Sequence, residues 1–171
     1  TISRSAGRSA VAAAAYRACV KLVDQTTGLI HDYTRKGGHV ETILIGASDI
    51  SELWNQAEAS ENRKNSTVAR ELMIPLPDQW TDNERRECVR DIAQHLRDTY
   101  GVAVGASIHG PGRHDRNNHV HMMFTTRAVD NDGNFGKKTR ILDDMKTGEV
   151  KNLREAICKI VNSHAEKLDS D

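Results

Sequence analysis

The sequence predicts an α+β domain, one antiparallel sheet with helices packed on it in a two-layer sandwich. Three observations lead there. The 171 residues are one domain's worth of chain, enough to bury a core without staples. Short runs rich in β-branched residues are interleaved with longer runs whose apolar positions recur at helical spacing. The helical runs carry their apolar residues along one side, so each must cover a neighbouring layer.

Residues 9–23 (SAVAAAAYRACVKLV) read as the first helix, because alanine is the best helix former and Ser9 or Ser5 is placed to cap it. Thr-Gly and Lys-Gly-Gly make 26–38 turn and loop, and HVETILIG (39–46) reads as a strand. Ile50, Leu53, Trp54 and Ala57 trace a helix over 50–62, and TVARELMIPL (67–76) is a strand closed by Pro75 and Pro77. Thr81 with Glu84 forms a capping box; Cys88, Val89, Ile92, Leu96 and Tyr100 then lie on one helical face, and Gly101 ends it. VAVGASIH (102–109) is a buried strand, 110–118 a polar loop, HVHMMFTTR (119–127) a strand and Asn131-Asp132-Gly133 a turn. Residues 150–168 close the chain as an amphipathic helix, with Val150, Leu153, Ile157, Ile160, Val161 and Ala165 on its apolar side.

Composition narrows the class. Hydrophobic residues are 37% and charged residues 28%, the profile of a globular protein. No apolar run approaches the roughly 18 residues of a membrane span, so no membrane insertion is expected. Cys19, Cys88 and Cys158 are too few and too scattered for a disulfide framework or a thiolate zinc site, which fits a reducing compartment. The chain opens on Thr1 without a signal peptide, and its tail EKLDSD follows a long helix. We read residues 1–171 as one domain cut from a longer protein. The 24 basic and 24 acidic residues balance, which as a sum argues against a nucleic-acid partner. Their distribution is less neutral: Arg4, Arg8, Arg17 and Lys21 crowd the N-terminal segment, and Lys137, Lys138 and Arg140 form a second cluster. A segregated surface can present one basic face.

The chemistry concentrates in residues 109–121. Residues i and i+2 of a strand share a face, so His119 and His121 project together, away from Val120 and Met122. His109 ends the preceding strand, and the nine-residue link can return the chain antiparallel to it. Three imidazoles then converge at one end of two paired strands. Neutral imidazoles in this number can hold a divalent cation with positions left open for substrate. His114 lies in the loop and reads as solvent-facing. His31, His39, His95 and His164 show no clustering and read as surface or packing residues.

The stretch ASIHGPGRHDRNNHVHMMFTTR resembles the His-hydrophobic-His motif of HUH endonucleases, more specifically that of the DNA-nicking relaxases of the MobA/MobL (MobQ) class, which start conjugative plasmid transfer. SRSAGRSAVAAAAYRA resembles the N-terminal motif of that class, and HDYTRKGGHVE, NSTVARELMIPLP and GKKTRILDDMKTGEVKNLREA resemble its connecting motifs. The resemblance covers nearly the whole chain in order, and implies the palm-like relaxase fold. Two departures stand out: the family's short strand before the first helix motif is expected to be missing, and Cys19 stands where the family often has a small residue.

The resemblance implies that Tyr16 attacks phosphorus, keeps the 5′ phosphate as a phosphotyrosine and frees a 3′ hydroxyl. It places a divalent metal on His109, His119 and His121 to polarise the scissile phosphate. Glu71 is the carboxylate expected to orient these histidines or accept a proton. Arg8, Arg17, Lys137 and Lys138 are the expected DNA-phosphate contacts. Imidazole ligands suit Zn, Mn, Ni or Co, while phosphate chemistry favours Mn or Mg, the expected ions. Expected partners are single-stranded DNA at an origin of transfer, relaxosome accessory proteins and a type IV secretion coupling protein. The location implied is the bacterial cytoplasm, with the protein travelling alongside the transferred strand. Three alternatives share parts of this pattern. A His-ligated metallonuclease using water would leave no covalent adduct. A non-enzymatic DNA-binding module would bind without metal. A rolling-circle replication initiator would typically carry its tyrosine downstream of the histidines.

Overall fold

A computed structural model describes residues 1–112 and 116–170. In chain order the first half holds β1 (Ile2–Ser3), α1 (Ala10–Ala18), β2 (Lys21–Val23), β3 (Ile30–Asp32), β4 (His39–Ile45) and α2 (Ile50–Ala59). The second half holds β5 (Thr67–Pro75), α3 (Asp82–Tyr100), β6 (Val102–His109), β7 (His119–Val129), β8 (Phe135–Lys138) and α4 (Glu149–Asp169). The main sheet runs β1-β5-β7-β6-β4, every neighbouring pair antiparallel, with β8 added to the far end of β7. β2 and β3 form a separate hairpin.

The antiparallel α+β architecture is the predicted one, but the helices cover both faces of the sheet, giving three layers instead of two. Val102, Val104, Ala106 and Ile108 of β6, with Val120, Met122 and Phe124 of β7, pack against α3 and α4. The alternate residues Ala103 and Met123 pack on the other side against α1 and α2. The reason is legible in β6, which is buried at every position and so needs cover on both faces. Gly105 of β6 faces the Trp54 indole of α2 on that side.

Local departures have identifiable causes. The first helix stops at Ala18, short of the expected Val23, because Cys19 turns left-handed at φ 54° and closes the last turn onto Ala15. Lys21–Val23 then pairs with Ile30–Asp32 inside the segment read as loop. A short first strand is present after all: Ile2 pairs with Ala69, and Ser3 with Thr67. Ser9 is the cap of α1, its Oγ accepting from the Ala12 N–H at 3.2 Å. Thr81 caps α3 and Gly101 ends it, as the sequence predicts.

Candidate active site

Antiparallel register puts His109 of β6 directly opposite His119 of β7, with Ser107 opposite His121. All four project from the face that α1 covers, at the end of the sheet where the β6–β7 loop turns. The ring centroids of His109, His119 and His121 form a triangle of 5.3, 5.2 and 4.9 Å. His114 lies outside the described residues. His39 does not keep to the packing role expected of it. It pairs with His109 across β4 and β6, its ring 5.9 Å away, and its Nε2 meets Thr42 Oγ1 at 2.8 Å.

Burial holds His109 and His121 neutral. It is the main cause pushing His109 down to about 4, with the Lys36 charge adding to it. His121 is likewise pushed to about 4 by burial, then by Arg17. His119 donates Nδ1–H to the Asn117 carbonyl at 2.8 Å, which leaves Nε2 as its lone-pair nitrogen. His109 donates Nε2–H to the Arg17 carbonyl at 2.6 Å, which leaves Nδ1. Gly38 lies on the Nδ1 side of that ring. The donor set thus suits a divalent cation, and the ring fixed by a second hydrogen bond is the usual habit of a histidine ligand. As their side chains stand, no group of three or more His, Cys, Asp or Glu among the described residues is placed to hold a metal ion.

The bond from His109 to the Arg17 carbonyl joins the histidines to Tyr16, the residue before Arg17. Tyr16 is 40% exposed at the end of α1. The edge of its ring pair with Tyr33 is 5.1 Å between centroids, and Lys36 Nζ sits 4.0 Å from its centroid. The Arg17 guanidinium also lies over this ring, its Cζ 5.3 Å from the centroid, but it is engaged by a carboxylate. It donates to Glu71 at 3.1 to 3.4 Å, and Arg8 approaches the same carboxylate at 3.9 Å. Burial alone would raise the Glu71 carboxyl; Arg17, then Arg8, overcome it and hold the group below its ordinary value. Glu71 is therefore a carboxylate committed to two arginines, near His121.

The structure does not bring the second basic cluster to this site. Lys138 pairs with Arg127 at the far end of β7, six residues beyond His121, roughly 20 Å along the strand. It is ion-paired to Glu61 at 3.1 Å, while Lys137 beside it is exposed. Arg4, counted with the N-terminal basic group, instead binds the Glu58 and Glu61 carbonyls at the end of α2. Tyr100 is half-buried in the α3–α4 core and donates to Glu149 at 2.6 Å. The residues missed by sequence reasoning are Lys36, Tyr33 and His39. All sit in or beside HDYTRKGGH, whose paired glycines, at φ 78° and 84°, are the one local sign that this loop folds tightly.

What fold and site define together is an antiparallel α+β domain with a histidine cluster at a strand end and a tyrosine-bearing helix stapled over it. The MobA/MobL family matches residues 8–170. The mobilization protein MobL of Acidithiobacillus ferridurans is 39% identical over 181 residues, covering 89% of this chain and 48% of that protein. The conjugal transfer protein TraA of Agrobacterium fabrum is 34% identical over 163 residues, 84% of this chain and 14% of TraA. A structure solved as the molecular basis of vancomycin resistance transfer in Staphylococcus aureus superposes with a TM-score of 0.83 at 26% identity. It covers 97% of this chain and 89% of that one. The chain belongs to the MobA/MobL family, and spans about half the length of the MobL relative. Among the described residues no helix is long and apolar enough to cross a membrane.

Proposed function

We propose that this chain is the relaxase domain of a conjugative mobilization protein. It nicks one DNA strand at an origin of transfer and keeps the 5′ end covalently on Tyr16. The observation that carries this reading is the bond from His109 to the Arg17 carbonyl, which sets the tyrosine one residue from the histidine cluster.

The Tyr16 hydroxyl attacks phosphorus, the new Oη–P bond forms and the P–O3′ bond breaks. The phenol gives up its proton and the departing 3′ oxygen gains one. One phosphodiester replaces another, so the step reverses and the strand can be resealed. A divalent cation on His119, His121 and His109, Mn or Mg in the cell, supplies Lewis-acid charge to the phosphate when bound. Glu71, already ionised and shared by Arg17 and Arg8, serves to hold Arg17 and with it the end of α1. The same reading gives the protein single-stranded DNA as substrate, relaxosome proteins and a secretion coupling protein as partners, and the bacterial cytoplasm as its place of action.

The test is a denaturing gel after incubation with single-stranded oligonucleotides tiled across the transfer origin of the plasmid that encodes the chain. Wild type forms a covalent protein–DNA adduct; Tyr16→Phe folds and binds DNA but forms none. An adduct with Tyr16→Phe removes the nucleophile assignment, and a nick without any adduct replaces it with a water-using nuclease.

A further inference from the structure

We infer that Lys36 is a further catalytic residue, its ammonium gripping a non-bridging oxygen of the scissile phosphate while it rests on the Tyr16 ring. This rests on the reading of Tyr16 as nucleophile and extends it.

Three observations carry it. The first is position: Lys36 Nζ stands 4.0 Å from the centroid of the Tyr16 ring. It is also near enough to His109 and His39 for its charge to act on both rings. A cation touching the nucleophile's ring and facing the histidines lies where a phosphate must enter. The second is availability. Arg17 and Arg8 share the one carboxylate of Glu71, and Lys138 shares Glu61 with Arg127, so each of these cations already faces a carboxylate. Among the described residues no carboxylate pairs with Lys36, and it is half-buried, so its charge is poorly screened. An unpaired, partly buried ammonium favours an anionic partner more strongly than an exposed one does.

The third observation is the loop that delivers it. Lys36 N–H closes a turn onto the Tyr33 carbonyl at 3.0 Å, and Tyr33 packs edge-on against Tyr16. Gly37 and Gly38 follow at φ 78° and 84°, and the Gly38 carbonyl accepts from the Gly110 N–H at 2.9 Å, next to His109. The loop is thus pinned at one end to the tyrosine and at the other to the histidine strand. Lys36 sits between the pins. A donor fixed before the reaction costs no reorganisation as charge develops on the phosphate oxygens, and loss of one such group typically slows chemistry about 100-fold or more. Contact with the ring adds a cation–π interaction that limits how Tyr16 can turn.

The experiment uses single-turnover adduct formation at saturating protein, on the oligonucleotide that wild type cleaves best. The scissile position is a phosphodiester in one substrate and a neutral methylphosphonate in the other. Lys36→Met should bind the phosphodiester strand within a few-fold of wild type and form adduct about 100-fold more slowly. Lys36→Arg should recover part of that rate. On the methylphosphonate, which lacks the charge Lys36 offsets, Lys36→Met and wild type should react within about threefold of each other. A merely structural lysine would impose the same penalty on both substrates, and that result overturns the proposal. So does a Lys36→Met rate within threefold of wild type on the phosphodiester, or a defect confined to binding. If wild type itself forms no adduct on any strand, the nucleophile reading falls first and this inference with it.

Discussion

Replacing Glu71 with glutamine removes one charge and almost no volume from the joint between α1 and the sheet. In the wild-type protein the carboxylate accepts from Arg17 at 3.1, 3.3 and 3.4 Å and has Arg8 at 3.9 Å. The Arg17 and Glu71 side chains are 18% and 21% exposed, between a surface pair and a buried one. Hydrogen bonds to charged groups contribute about 1.5–3 kcal/mol, and exposed ion pairs about 0–1 kcal/mol. An intermediate site then gives about 2 kcal/mol, or a fall in Tm of about 4–8 °C for a domain of this size. Circular dichroism melts at pH 7 measure it, within a double-mutant cycle with Arg17→Met. The double variant should recover about 1–2 kcal/mol relative to the sum of the singles. The pH dependence has a fixed sign. Glu71 titrates below its ordinary 4.5 in the folded protein, so its contribution is complete above that value and lost as pH falls through the folded one. The gap between wild type and Glu71→Gln should therefore close in acid. A Glu71→Gln variant within 0.5 kcal/mol of wild type, an additive cycle, or a gap that widens in acid would each refute the stapling role.

Two further outcomes test separate parts of the structure. His119→Ala and His121→Ala should each weaken Mn binding, measured by titration calorimetry, by more than about tenfold, with nicking partly restored by excess Mn. His95→Ala on α3 should leave both unchanged; equal losses at all three positions would detach the cation from the strand end. Cys19→Gly should raise Tm by about 2–3 °C, because the left-handed φ of 54° strains any residue with a Cβ, a cost of about 1 kcal/mol. A lower Tm would mean that the contact of Cys19 Sγ with the Gly37 carbonyl matters more than the strain.

The histidine cluster was legible because strand periodicity is rigid. Once HVH is a strand, His119 and His121 must share a face, and a short hairpin brings His109 opposite them. Thr81 and Gly101 gave the bounds of α3 for the same reason: caps act locally. Cys19 was opaque because nothing in its side chain announces a left-handed turn, so the alanine run read on into Val20–Val23. Lys36 and His39 were opaque for another reason. Their place beside Tyr16 and His109 comes from a loop crossing between layers, and no spacing in the chain encodes that. The three-layer packing lay between these cases: the all-apolar β6 called for two covers, but which helix went where depended on the alternation of Ala103 and Met123 against Val104 and Met122.

Charge was the property most distorted in the linear chain, and its correction yields the last prediction. The basic clusters at both ends of the sequence suggest a row of phosphate contacts, yet folding spends much of that charge internally. Arg8 and Arg17 share Glu71, Arg127 and Lys138 share Glu61, Arg70 pairs with Asp143 and Arg4 with Glu58. A cation already facing a carboxylate gains less from a phosphate and releases fewer counterions on meeting one. Adjacent Lys137 and Lys138 separate the two cases within one strand, because Lys137 is exposed and Lys138 is held by Glu61 at 3.1 Å. If both lie along the DNA path, Lys137→Ala should flatten the dependence of log affinity on log salt by about 0.7, the value for one single-strand phosphate contact. Lys138→Ala should change it by less than about half of that. Fluorescence anisotropy of a labelled single strand across a salt series reads both slopes. Equal slopes for the two variants would mean that Glu61 gives Lys138 up when DNA binds, and that ion pairing in the free protein does not decide which cations meet the phosphates.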